Sequence, residues 1–405
     1  MGYLQTGQSG IFHTVQGKQI GRGNNVLDQK TVFSVFAANG VHFFVGVPDS
    51  YLNGFCNHAL ANFGDRNIIT ANEGNAVALA AGHYMATGEI PLVYMQNSGE
   101  GNAINPLASL TERRVYSIPM ILLIGWRGQE INGINTEPKH PQHMLQGEIT
   151  TRLLDLMKIP YTILSDDNNI FGDTIQKAVS YCRENRQPYA LIAPKGVMAD
   201  PDKLNNKDDL YPMSREEAIE VVLDCMPKDT IYTASTGRAT RELFFLRERR
   251  REGKEHDFLN VGSMGHASSV ALGIALAKPD RKVVALDGDS ACIMHMGAMT
   301  MVSKVEAPNF MHIVLNNGAH ESVGGQPSAG HQVDFTKIAE GCGYVTVGHP
   351  VTTREKLKEA LRFLDGVGKA SFIDLRIHKG LSGKLPPLDF DHRAAIDEFM
   401  KELRM

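Results

Sequence analysis

Short apolar runs separated by helix-length segments recur along this chain, and no other feature of it restricts the fold as much. In the first half they are Val41 to Val47, Ile68 to Thr70, Leu92 to Met95, Met120 to Ile124 and Ala190 to Ala193. In the second they are Ile231 to Ala234, Lys282 to Leu286, Met311 to Leu315 and Ser371 to Leu375. Runs of this length without polar alternation predict strands covered on both faces, and the segments between them predict the covering helices, so the sheets are expected to be parallel. Residues 198–213 interrupt the pattern with polar residues bounded by Pro201 and Pro212, which is linker composition. Ser214 followed by Glu217 then opens a helix in capping-box style. The expectation is an α/β chain of two similar domains, 26–197 and 214–405, joined by the linker 198–213. Residues 1–25, rich in Gly and Gln, are set apart as an extension, disordered on one reading. A chain of 405 residues, 42% of them hydrophobic, fills two such cores.

Charge and cysteine usage exclude several classes of function. Lys and Arg number 41 against 45 Asp and Glu, so no basic surplus exists to hold a nucleic-acid backbone, and any anionic ligand must be met by a local cluster. The five cysteines are dispersed, odd in number and free of CxxC pairs, which fits a reducing compartment. No stretch offers about 18 uninterrupted apolar residues, and the first 25 residues hold no apolar run of signal length. The sequence therefore predicts a cytoplasmic protein without a membrane or nucleic-acid partner.

In open α/β sheets ligands gather outside the carboxyl ends of the strands. Two such ends in the second half read Asp287-Gly288-Asp289-Ser290-Ala291 and Asn316-Asn317-Gly318-Ala319-His320. A carboxylate and an amide oxygen from neighbouring strand ends are hard ligands suited to Mg²⁺, and the small residues let backbone N–H groups approach a diphosphate. Either loop alone reads as a plain turn; the pairing points to a site. Gly288-Asp289-Ser290 followed by Asn316-Asn317 resembles the GDG…NN motif of thiamine-diphosphate enzymes, departing from it at Ser290, where that family usually has Gly.

The resemblance implies a set of roles. Asp289, Asn317 and the carbonyl of Ala319 would hold Mg²⁺. Ser235 and Thr236, together with Gly262, Gly288 and Ser290, would line the diphosphate, and Met264 would prop the cofactor in its bent shape. Glu73, at a strand-to-helix junction, matches the Glu that hydrogen-bonds the aminopyrimidine ring so that its exocyclic nitrogen removes the thiazolium proton. Burial of that carboxyl would raise its pKa. Gln96 and Ser98 would touch the pyrimidine or the substrate. Because the first domain resembles the pyrimidine-binding unit and the second the diphosphate-binding unit, which different chains supply in this family, a homo-oligomer with active sites between chains is implied.

Asp49 and Ser50, after the first strand, are candidate proton-handling groups, with turn formation after Pro48 an equal reading. An anionic substrate head needs cations or N–H donors. Arg127, His140 and His143, with Lys139, follow the strand at Met120 to Ile124, while His320 is a candidate proton donor or substrate contact. The stretches Gly46 to Ser50, Ala71 to Gly82, Met95 to Gly99, Ile124 to Gly128, Gly262 to Pro279, Met294 to Gly297 and Val314 to Pro327 are similar, together, to the phosphonopyruvate decarboxylase family, with sulfopyruvate decarboxylases as relatives. This implies two thiamine-diphosphate-binding domains without a middle domain, and decarboxylation of 3-phosphonopyruvate to phosphonoacetaldehyde in phosphonate biosynthesis. Sulfopyruvate is the alternative substrate, and a noncatalytic cofactor-binding subunit is the alternative of another class.

Overall fold

The computed structural model describes residues 26–138, 140–199, 210–380, 385–386 and 388–404. The predicted extension 1–25, Lys139 and most of the predicted linker lie outside them. Six strands of the first half form one sheet: β1 (Phe44–Gly46), β2 (Asn67–Ile69), β3 (Leu92–Gln96), β4 (Ile121–Gly125), β7 (Tyr161–Ile163) and β8 (Tyr189–Ala193). The hairpin β5 (Glu130–Ile131) and β6 (Ile134–Asn135) stands apart. The sheet order is β2-β1-β3-β4-β8-β7, with every pairing parallel. Helices α1 (Gln29–Ala38), α2 (Asn53–Asn62), α3 (Glu73–Thr87), α4 (Glu100–Pro106), α5 (Pro141–Leu156) and α6 (Asn168–Asn185) accompany it.

The second half repeats the plan with β9 (Ile231–Ala234), β10 (Asp257–Leu259), β11 (Val283–Gly288), β12 (Phe310–Asn316) and β15 (Ser371–Arg376), ordered β10-β9-β11-β12-β15 and again wholly parallel. A small antiparallel pair, β13 (Ala319–His320) and β14 (Gln326–Pro327), follows β12. Its helices are α7 (Arg215–Cys225), α8 (Arg238–Arg250), α9 (Ala267–Ala277), α10 (Asp289–Met294), α11 (Phe335–Gly341), α12 (Arg354–Asp365) and α13 (His392–Arg404). The Ser214–Glu217 capping box opens α7 as the sequence predicts.

The apolar runs behave as the period of a strand requires. Leu92 and Tyr94, with Ile121 and Leu123, enter one buried cluster of the first domain, while Val93 and Met95, with Leu122 and Ile124, enter the cluster on the opposite face. In the second domain Val284 and Leu286 face one core, Val283 and Ala285 the other. With no polar side of either central sheet to mark a binding face, ligands are left the strand ends. Both sheets reverse direction beside their first strand, so the carboxyl ends of β1 and β3, and of β9 and β11, open the two crevices. Met198 pairs with Leu27 of the first domain, and the Met213 carbonyl accepts from His378 N of the second. No helix among the described residues is long and apolar enough to cross a membrane.

Candidate active site

The first crevice is built around buried acids. Glu73 begins α3 and is 4% exposed; Asn72 caps the helix by accepting from Asn75 N at 2.9 Å. One Glu73 oxygen accepts from Asn102 Nδ2 at 2.7 Å. The other lies 2.2 Å from where a Cβ on residue 99 would sit, so only glycine leaves room for this carboxyl. Burial raises the Glu73 pKa, and the Asn102 bond opposes the rise.

Asp49, after β1, is fully buried. Its Oδ1 accepts from Gln96 Nε2 at 2.6 Å and its Oδ2 from Tyr51 N at 2.9 Å, while Ser98 Oγ donates to Gln96 Oε1 at 2.6 Å. Three predicted residues thus form one chain across the β1–β3 crevice. Burial raises the Asp49 pKa as well. Ser50 is half-buried in the turn beside it. Glu100, at the start of α4, is pushed up to about 8 by burial, and its Oε1 has no partner.

The second crevice carries the diphosphate motif. Asp289 is 3% exposed and opens α10, and it accepts a bond from Ser328 Oγ. Burial lifts its pKa to about 6. Ser290 needs no glycine: it lies in α10, outside the positive-φ residues, and its buried hydroxyl has no partner. The buried hydroxyl of Ser235, across the crevice at the end of β9, is likewise unpartnered, and Thr236 beside it is half-buried. Met264 is half-buried and belongs to none of the apolar clusters, which argues against a core-filling role.

Asn316 and Asn317 divide their work. Asn316 Nδ2 bonds to Gly330 O at 2.8 Å and Asp374 Oδ1 at 3.0 Å, whereas Asn317 Nδ2 bonds to Glu321 Oε2 at 3.0 Å. Glu321 also accepts from Gly380 N at 2.6 Å and from Arg215, which reaches Glu242 at 3.3 Å. The sequence reading assigned no role to Glu321, Arg215 or Ser328, since nothing local marks which residue a buried carboxylate or hydroxyl will meet. It also missed a buried trio, Asp287, Cys292 and His312, whose ligand atoms lie within 4.8 Å of one another. The Asp287–His312 contact of 3.3 Å already pairs two of them, and three donors fall short of the four a structural zinc takes.

The two crevices meet within one chain. Asn72 Nδ2 donates to Met294 O at 3.1 Å, and Gln326 Nε2 donates to Asn53 and Asn57 at 2.8 and 2.6 Å. A narrow cavity between the domains is lined by Thr70 and Ala71 from one side and Ser290, His320 and Ser328 from the other. Burial lowers the His320 pKa to about 4, so its imidazole is neutral there. The sequence reading expects the two half-sites from different subunits; within one chain, Thr70 and Ala71 face Ser290 and His320 across this cavity.

The predicted substrate cations are placed differently from expectation. Arg127 makes two bonds to Glu137, at 3.1 and 2.8 Å, and lies over the Tyr51 ring, whose hydroxyl donates to the same carboxylate. Its charge is therefore answered inside the protein. Burial and then the Arg127 charge bring His143 down to about 4, and burial lowers His140.

The residues present fit a magnesium-bound diphosphate on their chemistry. Asp289 has no cation within ion-pair distance among the described residues, and two buried hydroxyls beside it lack acceptors. Comparison with known proteins bears on the diphosphate. A family model described as the N-terminal TPP binding domain of thiamine pyrophosphate enzymes matches residues 29–157, and one described as their C-terminal TPP binding domain matches residues 235–375. The chain is 33% identical over 360 residues to a phosphonopyruvate decarboxylase of Streptomyces viridochromogenes, covering 84% of this chain and 86% of that one. To a phosphonopyruvate decarboxylase of Streptomyces hygroscopicus it is 32% identical, covering 84% and 85%. To a sulfopyruvate decarboxylase of Methanosarcina acetivorans it is 27% identical, covering 87% and 92%.

Proposed function

Since the chain belongs to the phosphonopyruvate decarboxylase family of thiamine pyrophosphate enzymes, we propose that it decarboxylates 3-phosphonopyruvate to phosphonoacetaldehyde and CO₂, with thiamine diphosphate and Mg²⁺ as cofactors. The observation that carries the reading is an interdomain cavity lined by Thr70 and Ala71, which lead into the buried acid Glu73, and by Ser290, which follows the buried Asp289. We place the division between the two domains at residues 198–213, the reaction in phosphonate biosynthesis, and the protein in the cytoplasm as a homo-oligomer.

When bound, the cofactor supplies a carbon nucleophile and a sink for the electron pair that CO₂ leaves behind. The chain's own residues do the rest. Asp289, the Asn317 side-chain oxygen and the Ala319 carbonyl hold Mg²⁺. The Ser235 and Ser290 hydroxyls, with Thr236 and the backbone of Gly262 and Gly288, take the diphosphate, and Met264 supports the rings. Glu73, its proton favoured by burial, donates to the pyrimidine ring nitrogen. Asp49 has both oxygens engaged, so it acts by fixing Gln96, which Ser98 braces from its other end. His320 and Ser50 face the substrate, His320 as a neutral imidazole that passes or accepts a proton. His140 and His143 contribute neutral N–H donors, and the Arg127–Glu137 pair holds the wall behind them.

The test is to offer phosphonopyruvate and sulfopyruvate to the purified chain with thiamine diphosphate and Mg²⁺, following CO₂ and aldehyde release. A higher kcat/KM for phosphonopyruvate is expected, with loss of turnover on chelation of the metal. A higher value for sulfopyruvate moves the assignment to that acid, which the third relative named above favours. No turnover of either acid returns the chain to a noncatalytic subunit.

A further inference from the structure

An anionic head group requires positive charge that the first domain does not offer freely, since Arg127 is answered by Glu137 and burial disfavours the charged forms of His140 and His143. The second domain does offer it. Arg238 and Arg241 lie in the first two turns of α8, a helix of 13 residues that begins directly after the Ser235–Gly237 loop. Both are half-buried, and the Nε of each is buried without a partner. Among the described residues neither makes an ion pair within 4.0 Å. Arg241 Nη2 donates to the carbonyls of Leu385 and Pro386 at 2.5 and 2.7 Å, contacts that orient the guanidinium without neutralising it. The acid whose field reaches both, Glu242, is bonded to Arg215.

Two uncompensated guanidiniums side by side are unfavourable unless an anion joins them. Burial, and then the Arg238 charge, make the Arg241 cation harder to keep. These groups face the first domain. The Arg241 charge reaches His140, and Gln142, in the first turn of α5, comes within 3.8 Å of where a Cβ on Gly262 would stand. The N-terminal turn of α5 thus lies against the second domain at Gly262, with His140 before it in the field of Arg241.

We propose that Arg241, assisted by Arg238, forms the subsite for the tetrahedral oxyanion head of the substrate, phosphonate or sulfonate, and that the cofactor diphosphate is held elsewhere, by the Ser235, Ser290 and Asp289 cluster. The Leu385 and Pro386 carbonyls take the two Nη2 protons and fix the plane of the Arg241 guanidinium, leaving its charge and its Nη1 group for such an anion. The proposal rests on the decarboxylase reading for the identity of the substrate, not for the existence of the subsite.

Calorimetry on the full chain with thiamine diphosphate and Mg²⁺ bound, titrated with methylphosphonate, tests it alongside steady-state kinetics. The parent protein is expected to bind methylphosphonate, with the affinity falling at least 10-fold in Arg241→Gln and recovering in part in Arg241→Lys. With phosphonopyruvate, Arg241→Gln is expected to raise KM about 100-fold with kcat changed far less, and to leave the thiamine diphosphate affinity within 2-fold. Three results overturn the subsite: no methylphosphonate binding by the parent, unchanged binding in Arg241→Gln, or a parallel loss of cofactor affinity, which would mean that the arginine grips the diphosphate. Arg241-dependent methylphosphonate binding by a chain that turns over no phosphonopyruvate keeps the subsite and removes the decarboxylase reading instead.

Discussion

The two crevices of this molecule sit at equivalent places in equivalent sheets, yet they solve opposite problems. In the first, three acids, Asp49, Glu73 and Glu100, are buried without a cation partner among the described residues, and burial raises the pKa of all three. The nearby Arg127, bonded to Glu137, only partly offsets the rise at Asp49. That crevice holds protons. In the second, the Ser235 and Ser290 hydroxyls and the Nε atoms of Arg238 and Arg241 stand without acceptors, and the Asp289 carboxylate has no cation within ion-pair distance among the described residues. That crevice offers donors to an anion. The same α/β plan thus yields a proton-handling site or an ion-binding one according to which polar groups are left unanswered at the strand ends.

The contrast predicts different failures on the two sides. Glu73→Gln keeps size and polarity but cannot cycle a proton, so kcat should fall by about 10³-fold while thiamine diphosphate still binds. Rapid-mix kinetics and cofactor titration by intrinsic fluorescence separate the two; full turnover with bound cofactor would break the comparison. Asp289→Asn should do the reverse, weakening Mg²⁺-dependent cofactor binding by about 10²-fold and returning much of kcat at saturation. Mixing and refolding the two variants together sharpens the point. If each chain completes its own site, by way of the Asn72–Met294 and Gln326–Asn53 contacts, the mixture stays inactive at a Mg²⁺ concentration too low to load Asp289→Asn. Recovery of activity would mean that subunits share sites, since one pairing then unites two unaltered halves.

A smaller effect probes the first crevice without touching chemistry. Glu100 is held protonated in the fold to about pH 8, against an ordinary value of 4.5. The unfolded chain releases that proton above about pH 4.5 while the folded chain keeps it, so this group lowers stability progressively as pH rises from about 4.5 to about 8. Glu100→Gln removes the penalty. It should be more stable to urea than the parent at pH 7, by about 3 kcal/mol, with the difference closing toward pH 4.5. A gain that persists unchanged at low pH would point to packing instead.

Much of this arrangement was legible in the residues. The long, uniformly apolar runs declared the central strands, and the observed β4, β9, β11 and β12 begin and end within two residues of them. Two of the edge strands were not legible: Tyr161–Ile163 and Asp257–Leu259 are three residues long and only partly apolar, so nothing local separates them from loops. The resemblance to thiamine-diphosphate enzymes named Glu73, Asp289 and Asn317, each carried by a short motif at a strand end. The partners that decide what those residues do come from far along the chain. Glu137 answers Arg127 after a hairpin, Ser328 reaches Asp289 across 39 residues, and Arg215 reaches Glu321 across 106. No periodicity encodes such meetings, which is why Arg127 reads as a free cation in the sequence and as a paired one in the fold.

Glu321 offers the finest test of how the second crevice presents its metal ligand. It is a positioning residue: its carboxylate receives Asn317 Nδ2 at 3.0 Å, Gly380 N at 2.6 Å and the Arg215 guanidinium. Holding the amide nitrogen turns the Asn317 oxygen to the opposite side, where Ala319 N, at 3.2 Å, leaves it a lone pair to offer. Glu321→Gln puts an NH₂ group where three donors converge, so the Asn317 amide loses its fixed orientation. Partners of this kind are worth about 10- to 100-fold in metal affinity. The lower figure is expected here, because Ala319 N still holds the oxygen. The Mg²⁺ concentration that half-saturates cofactor binding should therefore rise about 10-fold, with kcat at saturating metal little changed. Asn102→Ala, which removes the analogous amide beside Glu73, should leave that concentration where it was and alter kcat. If both substitutions moved the metal requirement alike, the two crevices would not be the separate devices that their unpaired groups describe.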